Sequence, residues 1–331
     1  MEIKAADVAK LRQMTGAGMM DCKKALVEAE GDYERAKEII REKGKLVAAK
    51  RADRETSEGR VIAKVNGDKA IVVGLGCETD FVAKNEEFKA LAEAIADAAI
   101  ASFPADKDAL MACVLADGRT VEAAVTEQTG KTGEKHQIAG YEVVEAPYIV
   151  AYMHNVTGKL AAVVGFSKEF DAQVAKGVAM QVASMNPVAV SADSVPQSVI
   201  DTELKTATEK TKEELVQKAV DAALTKAGIN PAHVDSEAHI ESNTAKGWIT
   251  PEQAEQAREI IKTVSAEKAA NLPEQMVANI AKGRLQKFFK EQTLEEQGYQ
   301  MGDGKTSVKD VMKATDAEAK IVTFKRLSLA D

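Results

Sequence analysis

Residues 61–75 limit the possible folds more than any other stretch. Val61, Ala63 and Val65 alternate, Asn66-Gly67 supplies a two-residue turn, and Ala70 to Leu75 is an apolar return run. Alternation is the period of a strand, and Asn-Gly accepts the left-handed backbone of a tight turn, so a β-hairpin is predicted here. Helical spacing follows from about Glu86 to Ala101, with Phe88, Leu91, Ala92, Ile95 and Ala99 on one side and Pro104 beyond. The pattern then returns. Tyr148 to Met153 and Leu160 to Phe166 read as strands about the turn Asn155-Val156-Thr157-Gly158, and Val174, Val178 and Val182 mark a helix that ends by Pro187. The centre of the chain therefore reads as two ββα halves, the first longer by about seven residues. Its surplus lies between strand and helix and holds Cys77-Glu78-Thr79-Asp80-Phe81-Val82-Ala83.

The flanks are helical. Val8, Leu11 and Met14 share a face before Thr15-Gly16-Ala17-Gly18 breaks the run, and Cys22, Ala25, Leu26 and Ala29 share the next. Gly31 stops that helix, Asp32 is placed to cap a third, and Gly44 reads as its end. This predicts a three-helix module over 1–44 with a thin core, and a charged linker over 45–59. Met111 to Thr126 reads as partly helical and His136 to Glu145 as a further strand. Ser198 to Leu224 and Pro251 to Ala270 are charged, alanine-rich helical stretches, predicted to form a long antiparallel helical hairpin over 198–270. Leu272 to Phe289 is expected to return to the body, and Ala319 to Leu329 to close as a strand. The fold class is α+β. The two core subdomains are drawn at 60–146 and at 147–197 with 271–331.

Charge and composition exclude several classes. A net charge of −8 opposes the broad basic footprint of a nucleic-acid binder. Arg41, Lys43, Lys45, Lys50, Arg51, Arg54 and Arg60 are a local exception, read as a solvated linker or a weak phosphate or acidic-partner contact. Three scattered cysteines, Cys22, Cys77 and Cys113, suit a reducing compartment, with Cys22 a buried structural thiol. No apolar leader opens the chain and no run of about eighteen uncharged apolar residues spans a membrane, so a cytoplasmic protein is expected.

Two nucleotide motifs fail on inspection. Gly74-Leu75-Gly76 after an apolar strand imitates a dinucleotide site, but its third glycine falls on Thr79, with Glu78 and Asp80 where a pyrophosphate would lie. Gly130-Lys131-Thr132 and Gly304-Lys305-Thr306 lack the first glycine of a phosphate loop, having Val125 and Tyr299 there, and both read as turns. His136, His154, His233 and His239 show no metal-ligand spacing, so no metal and no cofactor is expected. What remains is Thr79-Asp80-Phe81-Val82. Phe81 there is either a hydrophobic staple on its own helix or an exposed aromatic wedge for a partner.

Two blocks decide between these readings by likeness. Met14-Thr15-Gly16-Ala17-Gly18-Met19-Met20-Asp21-Cys22-Lys23-Lys24-Ala25-Leu26 and Cys77-Glu78-Thr79-Asp80-Phe81-Val82-Ala83 resemble the two signatures of the bacterial elongation factor Ts family. Tyr152-Met153-His154 and Gly283-Arg284-Leu285-Gln286-Lys287-Phe288 agree further, in the family's order. The resemblance implies a guanine nucleotide exchange factor, not an enzyme, that binds elongation factor Tu in its GDP form. It implies a UBA-like N-terminal module, with Met19 and Met20 docking on the GTPase. Thr79, Asp80, Phe81 and Val82 would intrude beside the partner's Mg²⁺ site. His154 matches a family histidine near the second subdomain's contact, although a hydrogen-bonded turn histidine is the other reading. No direct nucleic-acid or membrane contact is implied.

Three departures stand against the family pattern. The stretch 205–270 is longer than the hairpin of the best-known members, which leaves its tip at about 229–250, with Trp248, without an assigned role. No helix follows the last strand before Asp331, and Gly133-Glu134-Lys135-His136-Gln137-Ile138 follows the usual Gly-Glu-Asn-Ile only in part. The alternative function is a scaffold that forms a homodimer through the hairpin.

Overall fold

The computed structural model describes residues 3–330. It is α+β: among the described residues, thirteen α-helices accompany two antiparallel sheets of three strands. By contact density the chain forms two units, one reaching Val190 and resuming at Gln297, the other Ser191–Glu296.

The first unit begins with α1 (Ala5–Thr15), α2 (Met19–Glu28) and α3 (Tyr33–Lys50). Val8, Leu11, Cys22, Ala25, Leu26 and Ala36 form their core. Asp32 caps α3 as expected, its carboxylate accepting from the backbone of Glu34 and Arg35. The expected end at Gly44 is corrected, since α3 runs on to Lys50. Gly44 is buried, and a Cβ there would meet the Thr126 carbonyl at 3.3 Å and the Gly130 Cα at 3.6 Å. Glycine at this position permits a close crossing with α7 (Val121–Thr132) and does not stop a helix.

The first half of the repeat is β1 (Glu58–Asn66), β2 (Lys69–Cys77), the single turn α4 (Asp80–Ala83) and α5 (Glu86–Ser102). The short α6 (Lys107–Ala112) precedes α7, so the stretch expected to be partly helical breaks between the two. Then β3 (Gln137–Glu145) pairs with β2. The second half is β4 (Tyr148–Met153), β5 (Leu160–Phe166) and α8 (Ala172–Met185). The sheet orders are β1-β2-β3 and β4-β5-β6, the latter completed by β6 (Ile321–Ser328). In each half the middle strand is the most apolar, because it is covered on both faces. Ile71, Val73 and Leu75 pack with Phe88, Leu91 and Ile95 of α5. The opposite face of the same sheet packs Val61, Ala63, Ala70 and Val72 against Ala161, Val163 and Ile149 of the other sheet. The helix α8 covers the far side of the second sheet. The helix α13 (Val308–Thr315), for which the sequence reading made no assignment, packs on α8.

The second unit contains α9 (Gln197–Lys226), α10 (Glu237–Ala245), α11 (Pro251–Ala270) and α12 (Glu274–Gln292). Near one end of α9, Val220 and Leu224 cluster with Ala254 and Ala257 of α11 and with Ile229, Val234, Ile240 and Ile249. At its other end Leu204 and Thr208 lie by Ala269 and Ala270, so the two helices run in opposite directions. The helix α12, which covers most of the stretch 272–289, packs along α9. Only Val277 and Ala281 of it are buried, and such a sparse stripe does not name its neighbour from sequence.

Candidate functional site

The connection from β2 to α5 departs from the economy of the rest of the unit. Thr79 is extended (φ −125°, ψ 152°) and caps α4, its Oγ1 accepting from the Val82 N–H at 3.4 Å. This is a standard N-cap, with Asp80 adding negative charge in the first turn. None of the four residues of α4 is buried. Val82 and Ala83 lean on the core beneath, whereas Phe81 is 83% exposed. Phe88, seven positions on, is 0% exposed. A staple would bury its ring against its own helix, so that reading of Phe81 is corrected.

The flanks of α4 are held by charge. Glu78 receives the Nη1 groups of Arg51 at 2.8 Å and Arg54 at 3.2 Å, and the Lys135 N–H at 2.6 Å. Burial by itself would raise the Glu78 carboxyl; these three donors outweigh it and hold the group below the usual carboxylate value. Lys135 also donates through Nζ to the Ala52 and Arg54 carbonyls, at 2.6 and 2.8 Å. The basic stretch 41–60 is therefore not a solvated linker throughout: its end is fastened to the site. Asp80 pairs with Lys84 at 2.5 Å on the surface, and that bond holds its carboxyl low. Cys77 is buried below, its thiol pushed up to about 12 by burial and by the nearby carboxylates of Glu134 and Glu58. Such a thiol stays protonated and unreactive.

The carboxylates of Glu78 and Asp80 thus flank α4, each held by basic side chains, and those cations are engaged with the carboxylates. Gly74-Leu75-Gly76 lies inside β2, and Gly130-Lys131-Thr132 forms the end of α7 and not the expected turn. Among the described residues no group of three or more His, Cys, Asp or Glu is placed to hold a metal, and no helix is long and apolar enough to cross a membrane.

The remaining predicted residues divide. Met19 and Met20 open α2 and are exposed, opposite the buried Cys22 and Leu26. His154 stands at the turn between β4 and β5, where its N–H donates to the Leu160 carbonyl and its carbonyl accepts from Gly158, both at 2.8 Å. The backbone is thus the hydrogen-bonded turn of one reading, while the ring Nδ1 is buried without a partner. That turn and α4 both rest on β1: the Val61 N–H donates to the Gly158 carbonyl, Lys159 pairs with Glu58, and α4 packs on the same strand. Among the described residues, no hydrogen bond or ion pair joins Met19 and Met20 to α4. The module instead reaches the site through Arg51 and Arg54. Sequence reasoning missed Arg51, Arg54, Glu134 and Lys135 as part of this site. The only signals were the basic run and the partial match at 133–138.

Residues 78–331 match the family model described as Elongation factor TS. Over 329 residues, and 99% of both chains, the sequence is 55% identical to Elongation factor Ts of Parabacteroides distasonis and 56% identical to that of Bacteroides fragilis. Elongation factor Ts of Porphyromonas gingivalis is 38% identical over the same length and coverage.

Proposed function

The chain belongs to the elongation factor Ts family, and from that premise we propose that it is a guanine nucleotide exchange factor for elongation factor Tu. It binds the GDP form of the GTPase and speeds GDP release, with no bond made or broken on its own residues. The observation that carries this reading is the exposed ring of Phe81 on a braced single turn. Exposed aromatics on rigid supports supply a large share of the binding energy at interfaces.

In this mechanism Thr79, Asp80, Phe81 and Val82 enter beside the partner's Mg²⁺ site. The cation bridges the nucleotide phosphates and neutralises their charge, so displacing its few ligands loosens the nucleotide. Met19 and Met20 provide a flexible apolar contact for docking, and His154 a second contact on the β1 side of the site. Coupling is reciprocal: whatever lowers GDP affinity when the factor binds lowers the factor's affinity when nucleotide returns. The factor is thereby released for another cycle.

The test is release of labelled GDP from purified elongation factor Tu. Acceleration by catalytic amounts of this protein is expected, and no acceleration sinks the reading. An oligomer without exchange activity would point instead to a scaffold.

A further inference from the structure

A single helical turn with no buried residue has little reason to hold one orientation by itself, because four residues are far below the length at which a helix is stable in water. Yet Phe81 must meet a partner with a defined direction. The support comes from 55 residues away in the chain. Glu134, in the loop between α7 and β3, accepts the Thr79 N–H on Oε2 at 3.1 Å and the Thr79 hydroxyl on Oε1 at 2.7 Å. The hydroxyl has one proton and two lone pairs, so it donates to Glu134 while accepting from the Val82 N–H. One carboxylate thus fixes both the backbone and the cap of α4, and it adds negative charge at the helix start.

The support is itself fixed. The Glu134 N–H donates to Thr132 Oγ1 at 3.1 Å, and the Glu134 carbonyl lies 2.9 Å from His136 Nδ1. A carbonyl only accepts, so the His136 proton sits on Nδ1. His136 is buried, stands 5.6 Å from the Phe88 ring, and leaves Nε2 without a partner. Burial holds this imidazole below its ordinary value, against the opposing pull of the Glu134 carbonyl and the Glu134 and Glu78 carboxylates. The neighbouring Lys135 N–H holds Glu78 on the other side of Thr79. The loop 133–136 therefore grips both residues that lead into α4, while the only ion pair within α4 and its cap, Asp80 with Lys84, is exposed and weak.

We propose that Glu134 is a positioning residue for exchange: it touches neither partner nor nucleotide, and holds α4 so that Phe81 is presented in its working direction before the partner arrives. This rests on the reading of Phe81 given above. If the supported turn is the competent state, loosening it lowers the competent fraction and the exchange rate with it.

The experiment uses the full chain and three measurements. GDP release from elongation factor Tu is followed over a range of factor concentrations for the wild type, Glu134→Ala, Glu134→Gln, Phe81→Ala and the double variant Glu134→Ala with Phe81→Ala. Loss of a cap and its support should lower the limiting rate of Glu134→Ala by about five- to tenfold, with the half-saturating concentration within about twofold. Glu134→Gln should fall between, since its amide keeps one acceptor and turns its NH₂ toward a donor. In the Phe81→Ala background the same change should have no further effect. Amide hydrogen exchange on the free protein should show Ala83 and Lys84, whose N–H groups bond to the Thr79 and Asp80 carbonyls, losing protection in Glu134→Ala while β2 keeps its own.

A wild-type limiting rate for Glu134→Ala overturns the proposal. So does an equal fall with and without Phe81, which would make Glu134 a general stabiliser. If Phe81→Ala exchanges as fast as wild type, the reading of Phe81 has failed, and the proposal falls with it. That failure is separate because it is seen without touching Glu134.

Discussion

The two halves of the repeat solve the same connection in opposite ways. From β2 to α5 the chain inserts α4 and leaves Phe81 in solvent; from β5 to α8 it takes five residues, Ser167 to Asp171, and leaves Phe170 half-buried against other rings. Phe170 lies 5.0 Å from Phe166 edge-on and 6.3 Å from Tyr148, a packed aromatic cluster. The supports differ as well. Glu78 is nearly enclosed and receives three donors, whereas Lys168 and the half-buried Asp316 form a single ion pair. A chain that could pack a phenylalanine against its neighbours at this connection does so in one half only. The other half spends more bracing on a ring that gains nothing from the core, which is the physical mark of a surface kept for a partner.

Substituting Phe81 should break the comparison most visibly. Phe81→Ala should slow GDP release by one to a few orders of magnitude, on the order of 1–4 kcal/mol for loss of an interface anchor. Its thermal unfolding should stay within about 0.5 kcal/mol of wild type, as for other surface changes. A sharp fall in the midpoint with normal exchange would make Phe81 a core residue after all. The reciprocal change should act the other way round. Phe170→Ala should cost about 1–3 kcal/mol of stability, seen in denaturant unfolding, and leave exchange per folded molecule intact.

A smaller effect concerns Glu78. Its folded carboxyl titrates below the ordinary value of 4.5, so the stability it contributes is present above that value and is lost as pH falls through the folded one. Wild-type stability should therefore drop more steeply below pH 4.5 than that of Glu78→Gln, measured by unfolding between about pH 3 and 6. Parallel curves would remove the clamp from the comparison. The smallest effect is expected at Lys84. Its pair with Asp80 is exposed, so Lys84→Ala should leave the thermal midpoint unmoved and exchange within about twofold. A larger loss would mean that Lys84 itself meets the partner.

Much of this was legible beforehand. Asn66-Gly67 and the alternation before it placed the first hairpin, and the spacing of Phe88, Leu91 and Ile95 placed the face of α5. The surplus in the first half pointed at residues 77–83, because an insertion between otherwise matching elements is visible as a difference in length. Glu134 was not visible as a partner of Thr79. The two are 55 positions apart, and nothing local to either residue names the other. Gly44 misled for a different reason. Glycine ends isolated helices, but here the gain from packing α3 closely on α7 outweighs the weak helix propensity.

The sequence by itself determined the periodicities, the hairpin turns, the cap at Asp32 and the position of the extra segment that holds Phe81. These are local properties, set by backbone sterics and by the burial that each short run can achieve. Only the tertiary structure decided that Phe81 stays outside while Phe170 packs on Phe166 and Tyr148, and that Arg51, Arg54, Glu134 and Lys135 converge on the residues leading to α4. Exposure and long-range hydrogen bonding depend on which elements come to lie side by side. That is a property of the packed sheets and helices, and no short run of residues carries it.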